Sequence, residues 1–361
     1  KLSPTLTSVG IASNNSTSTL AKEGDIVTLS FTASETINTP SVVFYSDGDL
    51  ITNSVTVSNT SGDDWTAVYT VHASDTDGAV TFTISFNDTV GNTGTNVTTT
   101  TTGNNVTIDK LAPTLTPVGI ASNNSTSTLA KEGDIITLSF TASETIEPTV
   151  VIKSGGADVT NSVTVSNTSG DIWTAVYTVH SSDTDGAVTF TIDFNDTVGN
   201  NGTRVTTVSD SSVVTVDKLA PTLTPVSIAS NNSTSTLAKE GDVVTLSFTA
   251  SETIDTPAVV IKSGSASITN SVTVTNTSGD IWTAVYTVHT SDTDGAVTFT
   301  IDFNDTVGNN GTQVTAITTG NNVTVDKLSP TLTPVTITSN NSTSTLAKEG
   351  DVVTLSFTAS E

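Results

Sequence analysis

The chain is one segment of about 109 residues written three times, followed by the opening third of a fourth copy. The segment NNSTSTLAKEGD recurs at the start points Asn14, Asn123, Asn231 and Asn340. The segment WTAVYTVH recurs at Trp65, Trp173 and Trp282. A period near 100 residues is the size of an autonomous domain rather than of a solenoid turn. We therefore divide the chain into repeats at 1–109, 110–217 and 218–326 and a partial repeat at 327–361, opened by Lys1, Lys110, Lys218 and Lys327.

Period-two alternation of apolar and polar residues runs through each repeat. Val80, Phe82, Ile84 and Phe86 alternate with small polar residues, and Thr and Val dominate, which is typical of half-buried strands. No stretch has a helical period, and Gly, Asn, Asp and Ser cluster at the breaks. In repeat one we predict strands at 4–13, 25–33, 41–46, 51–58, 65–72, 79–87 and 96–109. About seven short strands per unit predict an all-β fold of tandem immunoglobulin-like β-sandwiches in a linear array.

The joints between repeats are very short, because one repeat ends at Asp109 and Pro113 already begins the first strand of the next. Joints of a few residues that contain proline predict a stiff rod rather than a flexible string. The partial repeat supplies only two strands, which are marginal alone. We expect the sequence to be a section of a longer array.

Charge and composition exclude several classes of function. The net charge of −25, from 36 acidic and 11 basic residues, excludes a phosphate-backbone or polybasic membrane interaction. Cys and Met are absent, so there is neither a disulfide framework nor a thiol metal site. No apolar run is long enough to span a bilayer, and we find no signal peptide. We predict no nucleic-acid partner and no membrane insertion of this segment.

Several motifs together resemble a known group of proteins. The strings TLAKEGD, followed by VTLSFTASE, then SDTDGAV, NDTVGN and VDKLAPTL are similar to the tandem Ig-like repeats of very large prokaryotic cell-surface proteins. The resemblance covers the whole chain. It implies an extracellular location in an adhesin stalk, a surface layer or a filament, and a role as a spacer. Some related stalks stiffen through calcium between domains.

Acidic residues recur in register at the predicted strand ends. In an Ig-type sandwich, the turn before the sixth strand and the end of the last strand share one pole, while Glu144 and Asp196 belong to the opposite pole of the next repeat. Carboxylate oxygens suit Ca²⁺, so we predict calcium at the joints. The predicted ligands are Asp75, Asp77, Asp109, Glu144 and Asp196 at the first joint, and Asp183, Asp185, Asp217, Glu252 and Asp305 at the second. The alternative is that Asp-Thr-Asp-Gly is only a turn.

Asn-X-Ser/Thr sequons are dense, and most fall in predicted loops where an N-linked glycan could stand in solvent. The alternative is that a Thr-rich chain forms such sequons by chance and no transferase acts on them. The candidates for N-glycosylation are Asn59, Asn167, Asn276, Asn15, Asn124 and Asn232.

Other side chains have simpler interpretations. His72, His180 and His289 close a predicted strand without a nucleophile and an orienting partner at suggestive spacing, so we interpret them as structural. Trp65 alternates with Ala67 and Tyr69, which predicts a core position rather than a sugar-stacking platform. Lys22 lies in a charged turn, which disfavours an isopeptide bond to a buried carboxyl.

The sequence therefore predicts a non-enzymatic extracellular structural protein, a rod of Ig-like repeats in a cell-surface filament, adhesin stalk or surface layer. Its expected partners are copies of itself or other surface proteins, with N-linked glycans. Two alternatives remain open at this stage. The repeats could bind glycans or partner surfaces as an adhesin array, although their loop tips are almost invariant. They could also be the spacer of a larger secreted hydrolase.

Overall fold

The computed structural model describes residues 2–103 and 105–361. Lys1, which we predicted to open the first repeat, and Asn104, within the predicted strand at 96–109, lie outside the described residues. The chain divides into two compact units, Lys1–Lys218 and Leu219–Glu361. The first unit contains repeats one and two, and the second contains repeat three and the partial repeat.

Repeat one is built from short strands, as the alternation predicts. The strands of repeat one are β1 (Leu6–Ser13), β2 (Leu20–Ala21), β3 (Ile26–Ala33), β4 (Ser41–Ser46), β5 (Asp49–Leu50), β6 (Thr56–Ser61), β7 (Asp64–Thr70), β8 (Gly78–Ser85) and β9 (Thr107–Ile108). They form two sheets, in the orders β1-β3-β7-β6 and β2-β9-β8-β4-β5. All pairings are antiparallel except that of β2 with β9.

Repeat two has the same architecture. The strands of repeat two are β10 (Leu115–Ser122), β11 (Leu129–Ala130), β12 (Ile135–Ala142), β13 (Ile146–Ser154), β14 (Ala157–Asp158), β15 (Thr164–Ser169), β16 (Ile172–Thr178), β17 (Gly186–Asp196) and β18 (Thr215–Val216). The sheet orders are β10-β12-β16-β15 and β11-β18-β17-β13-β14, so every strand has the neighbours of its counterpart in repeat one.

Repeat three and the partial repeat make up the second unit. The strands of repeat three are β19 (Leu223–Ser230), β20 (Leu237–Ala238), β21 (Val243–Ala250), β22 (Ala258–Ser263), β23 (Ala266–Ser267), β24 (Thr273–Ser278), β25 (Ile281–Thr287), β26 (Gly295–Asp302) and β27 (Thr324–Val325). The partial repeat consists of the antiparallel pair β28 (Leu332–Ser339) and β29 (Val353–Ala359). In the partial repeat Val335, Ile337 and Phe357 are exposed, because among the described residues its two strands form a single sheet with no second sheet packed on it.

Each complete repeat has its own hydrophobic core between its two sheets. In repeat one, Leu29 and Phe31 of β3 face Phe82 and Ile84 of β8, as the period-two alternation predicts. Trp65 and Trp282 are buried in their cores, and Trp173 is partly buried against its own. The predicted all-β fold of tandem Ig-like sandwiches is confirmed, and among the described residues there is no helix.

The structure corrects the predicted strands in three places. The strand predicted at 51–58 begins five residues later, as β6 (Thr56–Ser61). The strand predicted at 96–109 is reduced to β9, preceded by a single bridge between Ile84 and Val97. Each complete repeat also has two unpredicted strands of two residues, β2 and β5 in repeat one. Strands this short are too brief for alternation to reveal, because their pairing depends on neighbours distant in sequence.

The Tyr69 side chain is buried in the core of repeat one, in contact with the Phe44 ring at a centroid distance of 4.9 Å. Its hydroxyl has no hydrogen-bond partner within the part of the chain that the structure describes. Burial first, and then the nearby charge of Asp75, raise the pKa of this phenol above its usual value. The hydroxyl therefore stays protonated and contributes no visible bond.

We expect Tyr69→Phe to change the free energy of unfolding by no more than about 0.5 kcal/mol, because it removes an unpartnered polar atom and keeps the ring. Chemical denaturation followed by Trp fluorescence measures the change. A loss above about 1 kcal/mol would mean that the hydroxyl does have a partner, such as a buried water.

Candidate metal centre at the joint between repeats one and two

The residues after β17 form a tight loop at the end of repeat two that faces repeat one. We name residues 196–200, which begin at the last residue of β17, the Asp-Val-Gly loop. The buried Asp196 carboxylate organises it, because Oδ1 accepts hydrogen bonds from the backbone N–H of Val198, Gly199 and Asn200 at 2.9, 2.7 and 2.8 Å. Its Oδ2 accepts a fourth bond from Asn200 Nδ2 at 2.8 Å. This aspartate fixes the shape of the loop before any neighbour is considered.

Three carboxylates from different parts of the chain meet beside this loop. Asp109 follows β9 of repeat one, Glu144 follows β12 of repeat two, and Asp196 ends β17. Each offers one oxygen, and these oxygens all lie within 4.8 Å of one another. Oxygen ligands from several carboxylates at such distances can hold a hard cation such as Ca²⁺.

Electrostatic repulsion is visible at Glu144. Burial raises the pKa of this carboxyl above its usual value, and the negative charges of Asp109, Asp196 and Asp171 raise it further. A carboxylate whose pKa is raised in the folded state costs stability when ionised. A bound cation would remove that cost.

The structure does not bring Asp75 and Asp77 into this group of three. Asp75 is buried in its own turn, where its carboxylate accepts bonds from the backbone N–H of Thr52 and His72 at 2.8 and 2.9 Å. Asp77 pairs with Lys110, whose Nζ lies 2.5 Å from Asp77 Oδ1. Local hydrogen bonds and an ion pair therefore occupy these two predicted ligands.

The equivalents in the following repeats have similar surroundings. Asp183 accepts bonds from the backbone of Thr160 and His180, and Asp185 pairs with Lys218 at 2.6 Å. Asp217 follows β18 at the end of the first unit.

In the second unit, Glu252 and Asp305 offer oxygens within 4.8 Å of one another. Asp305 Oδ1 accepts from the N–H groups of Val307, Gly308 and Asn309, so the loop geometry of repeat two recurs.

Direct hydrogen bonds also join repeat one to the Asp-Val-Gly loop. They come from residues 14–25 of repeat one, which we name the Asn-Lys turn. Asn15 Nδ2 donates to the Val198 carbonyl at 3.0 Å, and Lys22 Nζ donates to the Gly199 carbonyl at 2.5 Å. In the opposite direction, Asn200 Nδ2 donates to the Asp109 carbonyl at 3.0 Å.

Sequence reasoning missed Asn15 and Lys22 as residues of the joint. From the sequence alone, Lys22 belongs to a charged turn and Asn15 to a sequon. The one signal in the sequence is that NNSTSTLAKEGD is identical in all four copies. It could not reveal the partner, because Val198 lies 183 residues after Asn15.

The candidate glycosylation sites fall into two structural groups. Asn59, Asn167 and Asn276 are exposed, and each donates one amide hydrogen to the carbonyl of the glycine three residues later. Asn15, Asn124 and Asn232 instead donate to the aspartate ten residues later, at 2.8 Å in each case. Asn15 also binds Val198, so its amide group is already part of the joint.

His72 is exposed, and its Nδ1 lies 2.7 Å from Ser74 Oγ. The same nitrogen accepts a bond from the backbone N–H of Ser74 at 3.2 Å. The Asp75 carboxylate bonds the backbone of His72 rather than its ring. His72 and Ser74 therefore have the geometry of a local turn. The His72 ring is not oriented by the Asp75 carboxylate, as the base that activates a serine nucleophile would be.

Comparisons with known proteins give likenesses of fold. No protein-family model matches the chain, and no curated protein matches it. A three-Ig structure of titin domains I67–I69 is 11% identical, covers 91% of this chain and 100% of its own, and has a TM-score of 0.40. Titin domains A168–A170 are 13% identical over 88% of this chain and 99% of their own, with a TM-score of 0.33. The ectodomain (Ig1–Ig3) of mouse nectin-like molecule 4 is 14% identical to this chain. The match covers 85% of this chain and 96% of the ectodomain, with a TM-score of 0.28. These three structures are arrays of tandem Ig domains.

Proposed function

We propose that this chain is a non-enzymatic extracellular structural protein, in which Ig-like repeats joined end to end form a stiff spacer. The setting that we propose is a prokaryotic cell-surface filament, adhesin stalk or surface layer. Its partners are copies of itself or other surface proteins. The observation that supports this function best is the joint itself, where side chains and backbone of both repeats bond each other across a very short linker.

The linker is also attached to repeat one. The Lys110 side chain is largely buried, and its Nζ bonds both the Asp75 carbonyl and the Asp77 carboxylate. A linker bonded on both sides restricts relative rotation of the two sandwiches, which is the property that a spacer needs. The described part of the chain contains no helical segment with the length and hydropathy of a membrane span.

Calcium at the joint belongs to this proposal. Asp109, Glu144 and Asp196 supply the hard oxygen ligands that Ca²⁺ prefers, and among the described residues no ion pair with Lys or Arg balances their negative charge. N-linked glycans on the exposed Asn59, Asn167 and Asn276 belong to it as well, as bulky solubilising groups on an acidic surface.

The calcium proposal is tested by comparing the melting temperatures of Glu144→Gln and the wild type with and without Ca²⁺. Because the folded-state pKa of Glu144 is raised, its ionised form opposes folding, and that cost disappears as the pH falls through the folded-state value. In chelator at neutral pH we therefore expect Glu144→Gln to melt at a higher temperature than the wild type. In millimolar Ca²⁺ the order should reverse, since the wild type gains a ligand-linked stabilisation that the variant lacks.

Glu35→Gln is the matched control, because Glu35 has the same position in repeat one but does not belong to a cluster of three carboxylates among the described residues. We expect it to melt like the wild type in both conditions. A wild-type melting temperature that does not respond to Ca²⁺ would remove calcium from the proposal.

A further inference from the structure

The valine at one equivalent position of repeats one and two is exposed in the first repeat and buried in the second. Val198, in the Asp-Val-Gly loop of repeat two, is 4% exposed, whereas Val90, at the identical place in repeat one, is 67% exposed. The loop sequence Asn-Asp-Thr-Val-Gly-Asn is the same in both repeats. The difference therefore comes from what lies against the loop.

The two loops also have the same internal structure. In repeat one, Asp88 is buried and its Oδ1 accepts bonds from the N–H groups of Val90 and Asn92 at 3.0 and 2.8 Å. Its Oδ2 accepts from Asn92 Nδ2, as Asp196 does from Asn200. The loop thus keeps its shape whether or not a neighbour covers its valine, so it is preorganised for contact.

The Asn-Lys turn of repeat one is preorganised as well. Asp25 Oδ2 accepts bonds from Asn15 Nδ2 at 2.8 Å and from the backbone N–H of Lys22 at 2.9 Å, which fixes both residues relative to each other. The second amide hydrogen of Asn15 points to the Val198 carbonyl. The turn therefore presents two donors at a fixed spacing, and the loop presents two consecutive carbonyls, those of Val198 and Gly199.

Glycine at position 199 fits this contact. Its φ of +94° is in the left-handed region, and a Cβ there would lie 3.0 Å from Lys22 Nζ. At Gly91, the equivalent in repeat one with the same φ, a Cβ would meet nothing within 4 Å. Close approach of the lysine thus distinguishes the two glycines.

From these contacts we propose that the Asn-Lys turn is a docking surface whose partner is the Asp-Val-Gly loop of the following repeat, with Val198 as its apolar centre. Asn15 and Lys22 each donate a hydrogen bond to one of the two loop carbonyls, those of Val198 and Gly199. Asn200 of the loop donates a hydrogen bond to the carbonyl of Asp109 in repeat one. This latch orients repeat two on repeat one without a metal ion. The inference deepens the proposed spacer function and rests on it.

Distances between spin labels on repeats one and two test the latch. Because the chain has no Cys, Ser58→Cys and Ser166→Cys place one label at equivalent exposed positions of β6 and β15. We measure the distance distribution of the full chain in chelator by pulsed electron spin resonance. We expect a single narrow distance distribution in the wild type. In Val198→Asp we expect a broad distribution, because a charge cannot be buried unpaired at the contact.

Val90→Asp is the matched control, since the same substitution in the same loop of repeat one meets solvent, and we expect the narrow distance to remain. A wild-type distribution that is broad in chelator and narrows on addition of Ca²⁺ would overturn the latch and leave the spacer function. A distribution that stays broad in Ca²⁺ would overturn both. A narrow distribution in Val198→Asp would overturn the latch alone.

A second variant applies if Val198→Asp unfolds repeat two. Lys22→Met keeps the aliphatic stem and removes only the donor to Gly199, and circular dichroism verifies that the fold is intact. Broadening in Lys22→Met but not in Lys348→Met, the same substitution in the partial repeat, supports the latch. An unchanged narrow distance in Lys22→Met overturns it.

Discussion

Replacing Asp196 with Ala should lower the free energy of unfolding of repeat two by about 3 kcal/mol, because a buried acceptor of four hydrogen bonds disappears and three backbone N–H groups lose their partner. The Asp-Val-Gly loop should then open. Hydrogen exchange of the amides of residues 198–200 measures the local effect, and chemical denaturation measures the stability.

Two comparison variants make this prediction specific. Asp196→Asn keeps an Oδ1 acceptor for the three backbone groups and loses the bond from Asn200, so we expect a loss of about 1 kcal/mol. Asp193→Ala, on the same strand, removes a solvent-exposed pair with Arg204 and should change stability by no more than about 0.5 kcal/mol. Equal losses in Asp196→Ala and Asp193→Ala would contradict the role of Asp196 as the organiser of the loop.

The second large effect is expected at Gly202, which lies in close contact with the ring of Phe194. A Cβ at this position would lie well under 3.0 Å from Cε2 and Cζ of that ring. Phe194 is buried in the core of repeat two and cannot move without disturbing its neighbours. Gly202→Ala should therefore cost about 3 kcal/mol through overpacking, measured by chemical denaturation.

Thr203→Ala is the control for Gly202→Ala, since Thr203 is exposed and adjacent, and a change within about 0.5 kcal/mol is expected. Repeat three provides an independent copy of the experiment, because Gly311 has the same relation to Phe303. Wild-type stability in both glycine variants would show that the glycine–ring contact does not constrain the core.

Much of the fold could be predicted from the sequence, because burial in a sandwich repeats every second residue along each strand. Leu29, Phe31 and Ile84 were assignable to the core from that period alone. The same pattern predicts a strand at 96–109 that is too long. Residues there alternate as in a strand, but after Val97 they stop pairing with β8 until β9. Alternation indicates which residues face inward, but it does not indicate how far a ladder continues.

The candidate site could be predicted only in part. The topology of an Ig-type sandwich assigns Asp109 to one pole and Glu144 and Asp196 to the opposite pole, and the structure places their oxygens close together. Asp75 and Asp77 share the pole of Asp109, but each carboxylate already has a nearby donor. The backbone N–H of His72 bonds Asp75, and the amine of Lys110 bonds Asp77. Sequence position indicates which pole a carboxylate occupies, whereas the nearest donor decides where it points.

The repeat, the strand-forming alternation and the acidic character of the joints follow from the amino-acid sequence alone, because these are properties of composition and local spacing. The contact of Lys22 with Gly199, and the burial of Val198 but not of Val90, depend on how the repeats pack in three dimensions. Identical residues in identical loops have the same local preferences. Their burial differs because it depends on a neighbouring repeat that contributes its atoms from more than 170 residues away.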